Sequence, residues 1–515
     1  MPSMKRSVFA FLISTALALL AVPAINIMTA PNRDAIHLQE KAFLYNMDFA
    51  SRWTASALYP FGISTDPKQV IIGKDGWLYL GDLYQATLSD DRRPATESDI
   101  QLAKEIGAAT EAWDAYLASK GVKAFRIMVG PNKGTIYPEH MPNWAKPTPS
   151  NPIDTLFAQT NGEHFVDLRP ALLNAKETHE EVLYYKTDTH WNALGAGVAF
   201  HAFSQQIEKS TSELRWPSEK AYELLRVDPG IGGDLAKFLR LQGSLSERNP
   251  VLNGSMPAVE TTQTDFDTKQ ILAKGGNPVV ASPMTPLLVT SAGALNNKKV
   301  LWLRDSYGNS LSPLMDATFS EVLQLHWSEA IKPGGRFAEL VEKWKPDYVF
   351  VTVVERAART PWFAIYPPPA FNADSSEFKA TKTSTPVGVH DLIQGPSKND
   401  YQINGTDAFV DFALSNTTTQ TTPQHLNIDL TCSDNTASVP LQLFWLEAGQ
   451  ASYDEAHSAR FSAPTGRHQI DLRTIPKWNT GATINRVRID IDAQNACSHF
   501  KLINPSFGLK APGSL

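Results

Sequence analysis

Cysteine is nearly absent. The chain of 515 residues holds two, Cys432 and Cys497, so there is no CxxC pair and no thiolate cluster for a structural zinc ribbon. In an oxidising compartment the two can pair and close one loop; in a reducing one they are small buried hydrophobes. A basic excess is missing too. The 47 Lys+Arg stand against 53 Asp+Glu, a formal charge of −6, which lacks the electrostatic footprint that phosphate backbones demand and argues against a nucleic-acid partner. No internal repeat is visible, and neither a metal nor a cofactor is expected. Apolar residues are plentiful: 42% of the chain is hydrophobic, with 12 Trp, 14 Tyr and 24 Phe, which excludes disorder throughout. The length exceeds what one core usually serves, so two domains behind an N-terminal segment are expected.

Long apolar runs are confined to the start. Lys5 and Arg6 precede an apolar run from Val8 to Ala24 broken only by Ser14 and Thr15, the layout of a charged n-region and an h-region. Val22-Pro23-Ala24 fits a small-residue cleavage site, whereas extension through Ile25 and Ile27 gives a segment long enough to span a bilayer. Residues 1–30 therefore read as either a signal peptide or a signal anchor, with the remainder outside the cytoplasm. Export makes a Cys432–Cys497 disulfide an expectation.

Short apolar strands alternate with helical patterns from about residue 68 to 357. KQVIIGKDGWLYL, VKAFRIMVG, KKVLWLRD and DYVFVTVVE are β-rich, and IQLAKEIGAATEAWDAYLASKG has helical period. The alternation predicts an α/β layer fold with a mostly parallel sheet over residues 38–365. Pro367-Pro368-Pro369 and Ser/Thr-rich sequence mark a linker at 366–384. From 385 to 515 VDFALS, HLNIDLTC, LQLFWLE, ARFSA, HQIDL, INRVRIDID and HFKLINPSF predict antiparallel strands of an all-β sandwich or jelly roll, with LSNTTTQTTPQ as a polar loop.

Two segments carry chemistry. In Tyr185-Lys186-Thr187-Asp188-Thr189-His190-Trp191-Asn192, before a helix expected near Ala193, an Asp two residues ahead of a His can accept the Nδ1 proton and leave Nε2 free as a base. In Val300-Leu301-Trp302-Leu303-Arg304-Asp305-Ser306-Tyr307-Gly308-Asn309-Ser310 an apolar strand stops at Asp-Ser and turns into an expected helix. A serine at the C-terminal end of a parallel strand lies where α/β sheets place ligands, with free N–H groups to receive an oxyanion. Taken singly, each segment also has a plain structural reading, a surface Asp with a satisfied His and a helix cap at Asp305 or Ser306.

Together the two segments resemble the SGNH hydrolase-like alginate O-acetyltransferases of the AlgJ and AlgX type. The resemblance extends to GKDGWLYL at 73–80, Pro131-Asn132-Lys133 followed by Ile136-Tyr137-Pro138-Glu139, Gly233-Asp234-Leu235 and Glu355-Arg356, and so covers roughly residues 40–365. Asp188 and His190 precede Ser306, matching the circularly permuted order of that family.

The resemblance implies a Ser306, His190, Asp188 triad that carries an acetyl group on Ser306 and passes it to a sugar hydroxyl. The Ser306 N–H is the expected oxyanion donor, and Asn132 is a candidate for the second. Tyr185, Arg304, Tyr307 and Arg356 are candidate sugar contacts, with Arg304 equally readable as a structural ion-pair partner, while Trp77 and Trp191 read as core. The β-rich tail resembles the carbohydrate-binding domain that some members carry; Trp445, Tyr453 and Trp478 are its candidate stacking residues, against a core reading for Trp445. The expected partners are an exported polysaccharide acceptor, alginate or similar, and a membrane-bound O-acyltransferase that supplies acetyl groups, with the chain in the periplasm or held at the inner membrane. An esterase with the same triad and a non-catalytic glycan-binding protein are the competing readings.

Overall fold

The structure is a computed structural model, and the residues described are 2–30, 36–253, 255–332, 334–369, 371–372, 378–416, 423–433, 438–475, 478, 483–491 and 497–510. Pro2–Thr29 is one helix. Its Ser7–Thr29 stretch is long and apolar enough to cross a membrane, and most of it is exposed. Near its end the Asn26 side-chain amide donates to the carbonyls of Phe43, Leu44 and Asn46, at 3.0, 3.0 and 2.9 Å, tying the helix to the segment that follows.

In chain order the strands before residue 365 are β1 (Val70–Ile72), β2 (Leu78–Leu80), β3 (Ala124–Gly130), β4 (Phe165–Asp167), β5 (Leu224–Ile231), β6 (Ser246–Leu252), β7 (Glu260–Asp265), β8 (Ile271–Lys274), β9 (Leu287–Ala292), β10 (Asn296–Arg304), β11 (Phe319–Leu325) and β12 (Tyr348–Val354). Eight of them form one sheet in the order β4-β3-β12-β10-β11-β9-β7-β8. The five from β4 to β11 are parallel, and β9, β7 and β8 add antiparallel. Every residue of β3 and β12 is buried, as continuous apolar runs of a parallel sheet covered on both faces should be.

Neighbouring side chains on a strand point to opposite faces. Phe350 packs edge-on to Phe203 of the helix Ala193–Glu208. Phe125, in register with Val349, faces Phe337 of the helix Phe337–Trp344, against which Trp113 of the helix Glu97–Ser119 stacks. The helix Ala193–Glu208 thus packs on one face, and the helices Glu97–Ser119 and Phe337–Trp344 on the other. The Glu97–Ser119 helix, expected from its period, starts at a capping box between Thr96 and Asp99.

Two expectations need correction. KQVIIGKDGWLYL is not a strand of the main sheet: Asp75 and Gly76 both have positive φ, and the run folds back on itself as the isolated antiparallel hairpin β1–β2. The helix expected directly after Ser306 is a single 3₁₀ turn, Ser306–Gly308, and the helix proper begins at Ser312 because Pro313 suits a first helical turn.

From Phe371 onward the described elements are β-strands with two short 3₁₀ turns. Strands Phe409–Asn416, Ile484–Ile491 and Ser438–Glu447 lie side by side, as do Gly466–Asp471, His425–Cys432 and His499–Lys510. Their inward residues share one core: Val410, Phe412, Leu443, Val487 and Ile489 from the first group, Ile428, Leu430, Ile470, Leu502 and Phe507 from the second. That is a sandwich. Phe378–His390, a 13-residue strand that joins the two groups, begins inside the stretch read as linker; its Thr and Lys residues pair in the sheet although their polarity reads as loop. Cys432 and Cys497 are joined as a disulfide with Cα atoms 5.6 Å apart. Most of the polar loop LSNTTTQTTPQ and three residues of PKWN lie outside the described residues.

Candidate active site

Three adjacent parallel strands, β3, β12 and β10, end side by side, and each is followed by a polar segment: Pro131-Asn132-Lys133, Glu355-Arg356 and Asp305-Ser306. This is the edge at which α/β sheets bind ligands. Asp305 fixes the third segment. One carboxylate oxygen accepts from the Tyr307 N–H at 2.9 Å, and the other from the Val354 N–H at 2.8 Å and Trp327 Nε1 at 3.2 Å. Ser306 then opens the 3₁₀ turn, at a position where helical geometry gives its N–H no partner.

The loop 185–190 is closed at its base by a bridge between Tyr184 and Trp191 and by the Tyr185 N–H donating to the His190 carbonyl. Asn192 caps the helix that follows, accepting from the N–H groups of Leu194 and Gly195. His190 Nδ1 lies 2.6 Å from Asp188 Oδ1 and its Nε2 lies 2.8 Å from Ser306 Oγ. With Asp188 accepting, the ring proton sits on Nδ1 and Nε2 faces the serine as an acceptor. Residues 116 apart in sequence therefore form one hydrogen-bonded line.

Burial works to raise the Asp188 carboxyl, but the hydrogen bond and charge of His190, with the N–H groups of Asp234 and His190, outweigh it and hold the group down at about 2. It stays ionised beside the imidazole. Asp234, left out of the sequence-derived site, lies close by: it accepts from the Thr189 N–H at 2.7 Å and Thr189 Oγ1 at 2.5 Å, and burial with the nearby Asp188 charge raises its pKa. Glu247 accepts from the N–H and hydroxyl of Thr187. Among the described residues, Asp188, His190 and Asp234 are the one group of metal-type side chains with ligand atoms all within 4.8 Å of each other, and the hydrogen bonds just named already occupy them.

Asn132 is buried, its N–H donating to Glu355 at 2.7 Å, its Nδ2 to Asp91 at 3.5 Å, and its Oδ1 accepting from Arg356 at 3.3 Å. Asn132, Arg356, Thr189 and Tyr307 line one small cavity. Tyr185 is half-buried on the His190 loop. Arg304 and Tyr307 are both buried. Arg304 is fully buried, bonding Gln324, Asn309 and the carbonyls of Val280 and Ala281 over the Trp302 ring; Tyr307 is buried with its hydroxyl on the Thr189 carbonyl. Trp77 and Trp191 are core, as expected.

The tail candidates divide. Trp445 and Trp478 are wholly buried, 5.2 Å apart, and Trp478 Nε1 donates to the Pro423 carbonyl, so neither offers a ring face to a sugar. Tyr453 is half-exposed, its hydroxyl donating to Asp411 beside Arg486.

Residues 70–281 match the family described as SGNH hydrolase-like domain, acetyltransferase AlgX; the match holds Asp188, His190 and Asp234 and stops before Ser306. Over that stretch the chain is similar to the SGNH hydrolase-like acetyltransferases of the AlgX type. The probable alginate O-acetylase AlgJ of Pseudomonas aeruginosa is 28% identical over 187 residues, 35% of this chain and 44% of that protein, so the chain spans under half of this curated relative. Among solved structures, Pseudomonas aeruginosa AlgX aligns with a TM-score of 0.41 at 12% identity over 88% of this chain and 99% of that one. The O-acetyltransferase domain of Pseudomonas putida AlgJ aligns with a TM-score of 0.36 at 19% identity over 56% and 92%.

Proposed function

We propose that the chain is a polysaccharide O-acetyltransferase working through an acetyl-Ser306 intermediate. The observation that carries this is the line Ser306 Oγ to His190 to Asp188, at 2.8 and 2.6 Å, at the strand ends of an SGNH hydrolase-like domain. His190 Nε2 takes the Ser306 proton as Oγ attacks the acetyl carbonyl, and the tetrahedral oxyanion falls within reach of the Ser306 N–H. The proton passes from His190 to the leaving alcohol, which departs and leaves the ester on Ser306. An incoming sugar hydroxyl gives its proton to His190 Nε2 and attacks that ester, and the returning proton frees Ser306. Asp188 holds the imidazole tautomer throughout. Asn132 is the second oxyanion donor in this reading, and Tyr185 and Arg356 contact the sugar.

The apolar N-terminal helix supports export to the periplasm, where acetyl groups arrive through a membrane-bound O-acyltransferase. The sandwich holds the polymer around Tyr453, the tail candidate that keeps surface exposure. Side-by-side measurement of acetyl release and acetyl transfer from a model ester, with and without oligosaccharide, tests the assignment. Transfer that rises with oligosaccharide and vanishes in Ser306→Ala supports it; release to water alone makes the protein an esterase, and neither activity in folded protein makes it a glycan-binding protein.

A further inference from the structure

Lys133 follows Asn132 at the end of β3, yet it reaches away from solvent. Its ammonium donates to the carbonyls of Tyr185 and Lys186 at 3.0 Å each and of Asp188 at 2.6 Å. The side chain is buried, and the ring faces of Trp77 and Tyr79 lie 5.7 and 5.4 Å from the charge. The fourth carbonyl of the stretch, Thr187, accepts instead from the Ala236 N–H. Three carbonyls of one loop therefore converge on a single cation. Three acceptors aimed at one point repel each other and keep that arrangement only while a donor sits between them.

The loop so folded is the one that carries Asp188, whose carboxylate must face His190 Nδ1. We propose that Lys133 is a positioning residue for the reaction: by gathering the carbonyls of Tyr185, Lys186 and Asp188 it sets the loop curvature that places Asp188 against His190. This rests on the triad reading above. Lys133 touches neither the reacting serine nor the imidazole; it acts through the backbone of the residues that do. The three donors of an ammonium match three converging carbonyls, which a carboxamide or an apolar side chain cannot do.

The test uses the full chain with Lys133→Met, which keeps length and removes charge and donors. A misplacement of about 1 Å in such a line costs on the order of 10²-fold in rate, so kcat for ester cleavage should fall about that far with KM little changed. The low-field proton signal of the His190–Asp188 hydrogen bond should vanish or shift. That signal is independent of turnover, so it tests Lys133 even if the wild-type protein transfers no acetyl group. Lys133→Ala with added methylammonium, which can enter from the cavity that Lys133 lines beside Thr189 and Tyr307, should regain part of the lost rate. Should Lys133→Met not fold, Lys133→Arg, which keeps the charge but presents a planar fork, should fold and show the same kcat-selective loss. A folded Lys133→Met with wild-type kcat and an unshifted proton signal overturns the proposal, as does Lys133→Arg at wild-type kcat.

Discussion

Gly233 lies so close to Asp188 that a Cβ built on it would sit 2.3 Å from the Asp188 Cβ and 2.6 Å from its Oδ2. The next N–H, that of Asp234, donates to Asp188 Oδ2 at 2.9 Å. The close approach of the two loops is what lets a backbone donor hold the carboxylate. Gly233→Ala should therefore push Asp188 off His190, lowering ester turnover at least 10²-fold by the cost of a misplaced group, while destabilising the fold by about 1–3 kcal/mol of overpacking. Steady-state kinetics with a denaturation midpoint on the same preparation checks both.

The ionised Asp188 also sets an acid limit. Its folded pKa of about 2 lies below its ordinary value of 3.8, so the native state favours the carboxylate. The resulting stability, about 2 kcal/mol, is fully present above pH 4 and lost as pH falls through 2. Asp188→Asn should flatten that part of the acid unfolding curve and lower kcat by about 10⁴-fold, the scale set by wrong-tautomer variants of other Ser-His-Asp enzymes.

Reduction should act on the sandwich and spare the chemistry. Cys432 and Cys497 close a loop with a sequence separation of 65, which in the chain-entropy model is worth up to about 4 kcal/mol. Cys432→Ser should lower the unfolding midpoint of the sandwich, with small-ester turnover unchanged. Thiol titration of the unreduced, unfolded protein should find no free thiol.

Trp478 and Tyr453 give opposite outcomes. Trp478→Ala opens a cavity in a closed core and should cost about 3–5 kcal/mol, whereas Tyr453→Ala should leave the fold standing and weaken affinity for long glycans. Thermal unfolding against polymer binding separates the two, and unchanged polymer affinity in Tyr453→Ala would remove that residue from the binding face.

What the sequence revealed was what is local. Asp-Ser after an apolar strand and Asp-x-His before a helix are short patterns, each with a plain structural reading, and it was their joint resemblance to a known family that singled out Ser306, His190 and Asp188, which the structure places 2.8 and 2.6 Å apart along one line. Asp234, Glu247 and the role of Lys133 were not legible, because each reaches the His190 loop from a distant part of the chain. Arg304 read equally as a sugar contact and as a structural partner; the residues that bury it, Gln324, Asn309, Val280 and Ala281, come from three separate segments. Trp478 stands among polar residues, and only the sandwich core explains its burial. The hairpin β1–β2 was hidden in one apolar run because the turn at Asp75 and Gly76 interrupts it by only a few residues.

The most direct measurement is the mass of the Ser306 peptide after the full-length protein meets an acetyl ester. An acetyl adduct on Ser306 that discharges when oligosaccharide is added, with the acetyl group recovered on the sugar, is the expected result. Acetylated sugar formed at the wild-type rate by Ser306→Ala, or an adduct on another residue, would contradict it.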